Sequence, residues 1–297
     1  MPVIRIASVR SQQQSANDWA QGHPAAAAMA VALAKTSEPF RSLAVKGQMQ
    51  RAERPLLKNP NKLTLRQHIF PKRSMEPFAD QSGRVTVFDV LRHKARPAKL
   101  DDTLFLAQRA WDQRTETYMK HIEDKFQRVV RPIIECHVNT ITPEQRGPTN
   151  SMFALWFMRA RYRQLGAQEI ELFGVTGDHL TKAQEETLEK NGYLFARRGG
   201  KMPARQLNGV QLQMRINRYA LDLSAVTKWG AIHAQSGEFI VPDVPSHMII
   251  PLTPKLALVG SATDGIITEQ NVAEINSAVK AGSREYYFAR DLAKCPF

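Results

Sequence analysis

TLFLAQRAWDQRTETYMKHIEDKFQRVVR, residues 103–131, holds the clearest periodicity in the chain: Leu104, Ala107, Trp111, Thr115, Tyr118, Ile122, Phe126 and Val129 recur at spacings of three and four. On a helix of 3.6 residues per turn these positions form one apolar stripe. The stretch therefore predicts a long amphipathic helix with Trp111, Ile122 and Phe126 in the core. Asp101 or Asp102 is its expected N-cap, because a short acceptor side chain satisfies the first free amides, and Pro132 marks its end or a kink.

Downstream, a second helix is expected from Ser151 to about Leu165, with Gly166 as its stop. A third is expected over Thr181 to Lys190, opened by a Thr181/Gln184 capping box and closed by Asn191-Gly192. The character then changes. Gly209 to Ile216 alternates, Glu238 to Val241 and Leu256 to Val259 are short apolar runs, and Glu285 to Phe288 is aromatic-rich, all of which read as strands. Asn271 to Ala281 reads as a helix with Asn271 at its N-cap. Upstream, Arg84 to Asp89 alternates after Gly83 and reads as a strand. The sum is an α+β fold with a helix-rich middle and short C-terminal and N-proximal strands.

Residues 1–60 show neither helical nor strand periodicity, and Pro39, Pro55 and Pro60 punctuate them. They read as a basic arm before one α+β domain over residues 61–297. Most of the net charge of +13 sits in this arm and the residues just after it: residues 1–73 hold 12 Lys and Arg against 3 Asp and Glu, leaving 29 against 25 for the remainder. Such an arm suits a polyanion, since each neutralised phosphate releases counterions, and equally suits a solvated extension or an acidic protein partner. At 43% hydrophobic the chain can bury a substantial core. Cys136 and Cys295 match neither a disulfide framework nor a paired zinc spacing, as expected of a cytoplasmic protein. No apolar run approaches the ~20 residues of a membrane span, so no membrane is expected as a partner.

Arg66-Gln-His-Ile-Phe-Pro71, Phe78-Ala-Asp80 and Gly83-Arg-Val-Thr-Val-Phe-Asp89 follow one another near the start of this region. Further landmarks are Glu116 to Glu123, Arg159-Ala-Arg161, Val241-Pro-Asp243-Val-Pro245, Pro251-Leu-Thr-Pro254 and Ile275-Asn276. In this order they resemble the bacterial family catalogued as domain of unknown function 4238 (DUF 4238), over roughly residues 62–295. The chain departs from that pattern in having Pro242 before the aspartate, and in reading Arg159-Ala-Arg161-Tyr162 where the family has Arg-x-Pro. The resemblance implies a fold and shared positions, without an activity.

The candidate functional residues follow from chemistry. His68, before Pro71, has an imidazole that titrates near neutrality and so suits proton transfer or metal ligation; a structural hydrogen bond explains it equally. Glu116 and Glu123 lie two turns apart on one helix face, where carboxylates suit a hard divalent cation such as Mg or Mn, although i, i+4 pairs such as Glu116 with Lys120 and Asp124 with Arg128 explain a solvated face. Asp243, on a stiff loop between Pro242 and Pro245 with His247 beyond, reads as a metal ligand or general base, or as a turn cap. Arg159 and Arg163 share a helix face, and Arg197-Arg198 adjoin Gly199-Gly200; both pairs suit phosphate. The leading expectation is a metal-assisted hydrolase of nucleic acid, as in toxin or defence proteins, with His68, Glu123 and Asp243 catalytic and Glu116, Glu123, Asp243 and His247 around the metal. The alternative is a binding module for nucleic acid or an acidic protein, in which these residues hold the fold.

Overall fold

A computed structural model describes residues 53–135, 140–163 and 169–297. Most of the expected arm, with the short apolar run Ala25 to Ala34, lies outside the described residues, as do Cys136, Leu165 and Gly166. In chain order the elements are β1 (Arg66–His68), α1 (Lys72–Met75), β2 (Arg84–Asp89), β3 (Lys94–Lys99), β4 (Leu106–Gln108), α2 (Gln113–Glu135), α3 (Pro143–Tyr162), β5 (Ile170–Glu171), α4 (Lys182–Lys190), β6 (Lys201–Met202), α5 (Ala204–Asp222), β7 (Trp229–Ala234), β8 (Val241–Pro242), β9 (Ile249–Thr253), β10 (Leu256–Gly260), β11 (Gly265–Ile267), α6 (Glu269–Gly282) and β12 (Tyr286–Ala289). The fold is α+β. No helix among the described residues is long and apolar enough to cross a membrane.

Two four-stranded sheets, ordered β11-β7-β10-β9 and β3-β2-β12-β8, carry most of the pairing, and every pair is antiparallel except β11 with β7. Three of the four inner strands, β7, β10 and β12, are covered on both faces. Trp229 and Ala231, Leu256 and Leu258, and Tyr286 and Phe288 belong to the main core with α2, α3 and α5. The alternate positions Ile232 and Ala234, Ala257 and Val259, and Tyr287 and Ala289 face a second core against α6. Period-2 side chains thus feed two layers at once, which is why these strands read as apolar runs.

The helix of residues 103–131 starts later than its periodicity suggests. Leu104 lies in a 3-10 turn capped by Asp102, whose carboxylate accepts from the Leu104 N–H at 3.0 Å, and Ala107 lies in β4 opposite Gln67. Trp111, Ile122 and Phe126 are buried as expected, and Pro132 falls inside the last turn of α2. α3 begins well before Ser151, at Pro143, with Gln145 Oε1 accepting from the Thr142 N–H at 2.9 Å. It is buried on nearly every face from Met152 to Ala160, so it forms the centre of the helical layer. α4 matches its expected span, with Thr181 as N-cap.

Gly209 to Ile216 is not a strand: it lies within α5, where Gly209, Leu212 and Ile216 face inward at spacings of three and four while Met214 is exposed. The alternation misled because Val210 and Met214 fall on sides of the helix that carry little packing. Gly209 is needed here, since a Cβ would stand 2.4 Å from both Asp112 Oδ1 and Thr115 Oγ1. Of Glu238 to Val241 only Val241 enters a strand, β8, and the N-cap of α6 is Thr268, with Asn271 at the third helical position.

Residues 53–60, expected in the arm, are bound to the fold. Glu186, fully buried, accepts from the Leu56 N–H at 2.7 Å. Glu53 pairs with Lys182 (2.7 Å), Arg197 (2.6 Å) and Arg205. Burial alone would raise its carboxyl pKa, but hydrogen bonds from Lys182 and Arg197 and the charge of Arg205 hold it at about 2. The network continues inward, where Glu189 Oε2 accepts from Arg109 at 2.8 Å and from Arg205 at 2.7 Å, all three side chains being almost fully buried. The packed chain therefore takes in Glu53 and the residues after it, which are held by charge.

Two arginines share one carboxylate in this interior, so Glu189→Gln should cost about 3–5 kcal/mol in urea unfolding by leaving buried cations without a counter-charge. A loss below ~1 kcal/mol would show that the network adds nothing to stability.

Candidate functional site

Three segments far apart in sequence meet at a cleft of about 380 Å³. One wall is Arg66 and His68 of β1 with Pro71, Lys72, Arg73 and Glu76 after it; the other is Glu116, Lys120, Glu123, Asp124 and Gln127 of α2; Arg159 of α3 completes it. β1 is aligned by its middle residue. Gln67 is buried, its Nε2 donating to the Trp111 carbonyl at 2.9 Å and its Oε1 accepting from the Ala110 N–H at 2.8 Å. Strand alternation then turns Arg66 and His68 the other way, toward the cleft. On α2 the positions 116, 120, 123 and 127 follow helical spacing and make one polar stripe beside the apolar one.

Arg159 is 1% exposed and is the most constrained group of the site. Its Nη1 donates to Glu123 Oε1 at 2.5 Å, its Nη2 stands 4.0 Å from Glu116 Oε1, its Nε lies 3.3 Å from Met119 Sδ, and its guanidinium lies 5.7 Å from the Trp111 ring centroid. Glu116 Oε2 also accepts from Trp111 Nε1 at 2.6 Å. The expected surface pairs are thus displaced: Glu116 serves Trp111 and Arg159 in place of Lys120, and Asp124 pairs with Lys120 at 3.4 Å in place of Arg128.

His68 is half-buried and its Nε2 donates to the Leu100 carbonyl at 3.0 Å. That bond fixes the neutral tautomer, leaving Nδ1 as an acceptor. Burial, together with the positive charges of Arg159 and Lys72, lowers its pKa below 6.5, only partly opposed by the bond to Leu100 and by Glu123. The imidazole is therefore uncharged at neutral pH and suited to take a proton. On the rim Lys72 and Arg73 are exposed, while Arg66 pairs with Asp101 at 3.6 Å.

Asp243 does not line this cleft. Its carboxylate accepts from the backbone N–H groups of Val244 (2.9 Å), Arg284 (3.0 Å) and Glu285 (2.8 Å), joining the turn after β8 to the residues that lead into β12. Burial raises its pKa against these three bonds. It is a cap for two chain segments, which corrects its expected place beside His68 and Glu123. His247, in the same turn, meets Ser246 Oγ at 2.9 Å through Nδ1, and burial lowers its pKa. Among the described residues no group of three or more His, Cys, Asp or Glu is placed to hold a metal ion. Glu116, Glu123, Asp243 and His247 accordingly do not form the expected ligand set, and the two that share a site already face a buried guanidinium.

The expected phosphate-binding arginines are mostly committed inside the protein. Arg159 meets Glu123; Arg163 pairs with Glu285 at 3.2 Å and lies over Tyr286; Arg197 binds Glu185 and Glu53 at 2.6 Å. Arg198 remains exposed. Sequence reasoning missed Arg66, Lys72, Arg73, Lys120 and Gln127; the stripe 116, 120, 123, 127 was the signal that could have found the α2 members. Compared with protein-family models, curated proteins and solved structures, the chain matches none.

Removing the Asp243 carboxylate strands backbone donors of two segments, so Asp243→Ala should cost about 1–3 kcal/mol in denaturant unfolding, with no change in ligand binding at the cleft. A variant as stable as the parent would show that water replaces the carboxylate at no cost.

Proposed function

We propose that the cleft between β1–α1 and α2 is the active site of a hydrolase acting on nucleic acid, with His68 as the proton-transfer group. The observation that supports this reading is the meeting of His68, Glu123 and Arg159 in one cleft rimmed by Arg66, Lys72, Arg73 and Lys120. Three segments behind the resemblance to the DUF 4238 family, Arg66 to Pro71, Glu116 to Glu123 and Arg159 to Arg161, contribute to it.

In the proposed step water adds to phosphorus and the bond from phosphorus to the leaving oxygen breaks. The water proton passes to His68 Nδ1, and a proton returns from there to the leaving oxygen, so the imidazole ends as it began. The rim cations oppose the charge that builds on the phosphoryl oxygens. Arg159 and Glu123 hold each other in place and are positioning residues. A cation such as Mg or Mn would have to share Glu116 and Glu123 with Arg159, so the reading rests on acid–base chemistry first. The buried free thiol of Cys295 suits a reducing compartment, and we place the protein in the cytoplasm.

A non-enzymatic module binding nucleic acid or an acidic protein is the second reading. It is favoured by the fact that both Glu116 and Glu123 already have partners within the protein.

The test is the integrity of RNA and of DNA incubated with purified protein, with Mg, with Mn and with a chelator. His68→Gln keeps an N–H donor for the Leu100 carbonyl but cannot relay a proton, so cleavage should fall by about 10²–10⁴ at an unchanged melting temperature. Because burial and neighbouring cations favour the neutral imidazole, the acid-side fall in the parent's rate should lie at lower pH than an ordinary imidazole would give. Intact substrates under every condition, or undiminished cleavage by His68→Gln, would overturn the enzyme reading and leave the binding module.

A further inference from the structure

α3 and the residue after it carry arginine at positions 159, 161 and 163, and helix geometry separates them. Neighbours two apart on a helix differ in direction by about 200°, so when Arg159 points into the buried ion pair, Arg161 must point away from it. Arg161 is exposed, and its guanidinium lies 4.1 Å from the Phe157 ring centroid. Phe157 stacks in turn on Tyr219 of α5, with centroids 4.8 Å apart and ring planes inclined by 23°. A second arginine comes from another part of the chain. Arg284, exposed in the turn before β12, is set by the bond from its backbone N–H to Asp243, and the 3.2 Å contact of its neighbour Glu285 with Arg163 brings that turn against the end of α3.

Like charges brought to one end of a helix cost free energy unless something compensates them. The nearby carboxylate Glu285 is engaged by Arg163. Among the described residues neither Arg161 nor Arg284 has a carboxylate within ion-pair distance. The C-terminal end of α3 accounts for one cation through the helix dipole, but not for Arg284 arriving from a separate element.

We propose that Arg161, on the Phe157–Tyr219 platform, and Arg284, in the turn against the end of α3, form a binding site for the phosphate backbone of single-stranded nucleic acid outside the cleft. Guanidinium forks supply bidentate bonds to phosphate oxygens, and the stacked rings hold one of those forks flat and preordered. This rests on the reading of nucleic acid as the substrate and adds where the strand is held outside the cleft.

The test uses the cleavage-impaired His68→Gln protein, so that the probe survives, and a fluorescently labelled single-stranded oligonucleotide titrated at several salt concentrations. Each phosphate contact contributes about 0.7 to the slope of log affinity against log salt, so adding Arg161→Gln and Arg284→Gln should reduce that slope by about 1.4. An unchanged melting temperature in this variant ties the loss to the charges. The two readings fail separately. A reduced slope supports the patch even if the parent leaves RNA and DNA intact under every condition, in which case only the assignment of the cleft falls. An unchanged slope overturns the patch whatever the cleavage assay gives. Polyglutamate competing as effectively as the oligonucleotide would overturn nucleic acid as the ligand and make the patch a site for acidic protein.

Discussion

The guanidinium of Arg159 is a charge taken almost wholly out of water in the middle of the helical layer. Such a group is tolerated only where counter-charge and acceptors meet it, because desolvation costs several kcal/mol per ion. α3 is apolar on nearly every other face, so α2 alone supplies the carboxylates, from positions 116 and 123. This requirement sets the rotation of α2 about its axis. Once Glu116 and Glu123 face Arg159, Ile122, Phe126 and Val129 are turned into the core, and Lys120 and Gln127 stand beside the carboxylates along the cleft. The opposite wall is set by Gln67, whose buried amide leaves Arg66 and His68 no other side to occupy. The cleft therefore follows from satisfying two buried polar side chains.

The same requirement governs charge elsewhere. The folded part contains many arginines, yet several act inward: Arg109 and Arg205 on Glu189, Arg197 on Glu53 and Glu185, Arg163 on Glu285. A basic composition is thus a poor guide to a basic surface. What matters is which arginines lack a carboxylate, and that depends on the pairing of distant segments: residue 53 with 197 and 205, or 243 with 284 and 285.

Local chemistry made much of the fold legible. The stripe over residues 115–129, the Thr181 capping box, the alternation of Arg84 to Asp89 and the aromatic run before the C-terminus each report a constraint that acts within a few residues. Failures came where a longer range decided. Gly209 to Ile216 alternates like a strand, but its buried positions are chosen by the helices it packs on: Asp112 and Thr115 at the start of α2 demand a glycine at 209, and Leu212 and Ile216 enter the main core on a helix that lies chiefly along α3. Leu104 and Ala107 continue the helical period by coincidence, since pairing of β4 with β1 claims that segment. At the site, His68, Glu123 and Arg159 could each be chosen as chemically apt. Their meeting could not be read, and neither could the capture of Asp243 by three backbone amides, because a Pro-bounded aspartate looks the same whether it caps a turn or serves a ligand.

Size narrows what the cleft can accept on the proposed reading. At about 380 Å³ it lies near the lower end of the range for small-ligand pockets, about 300–1,000 Å³. That is room for a phosphodiester with its adjoining sugars, whereas a duplex would have to lie across the opening with its backbone held off by the walls. A single strand can bend one phosphate into the cleft because its backbone is not bound to a complement. Its remaining phosphates must then be met outside, and two exposed cations without carboxylate partners among the described residues are Arg161, on the far side of the helix that carries Arg159, and Arg284, in the turn against that helix's end. One helix would then both complete the reacting cleft and hold the strand that leaves it, with the direction of each arginine fixed by nothing more than the 3.6-residue turn.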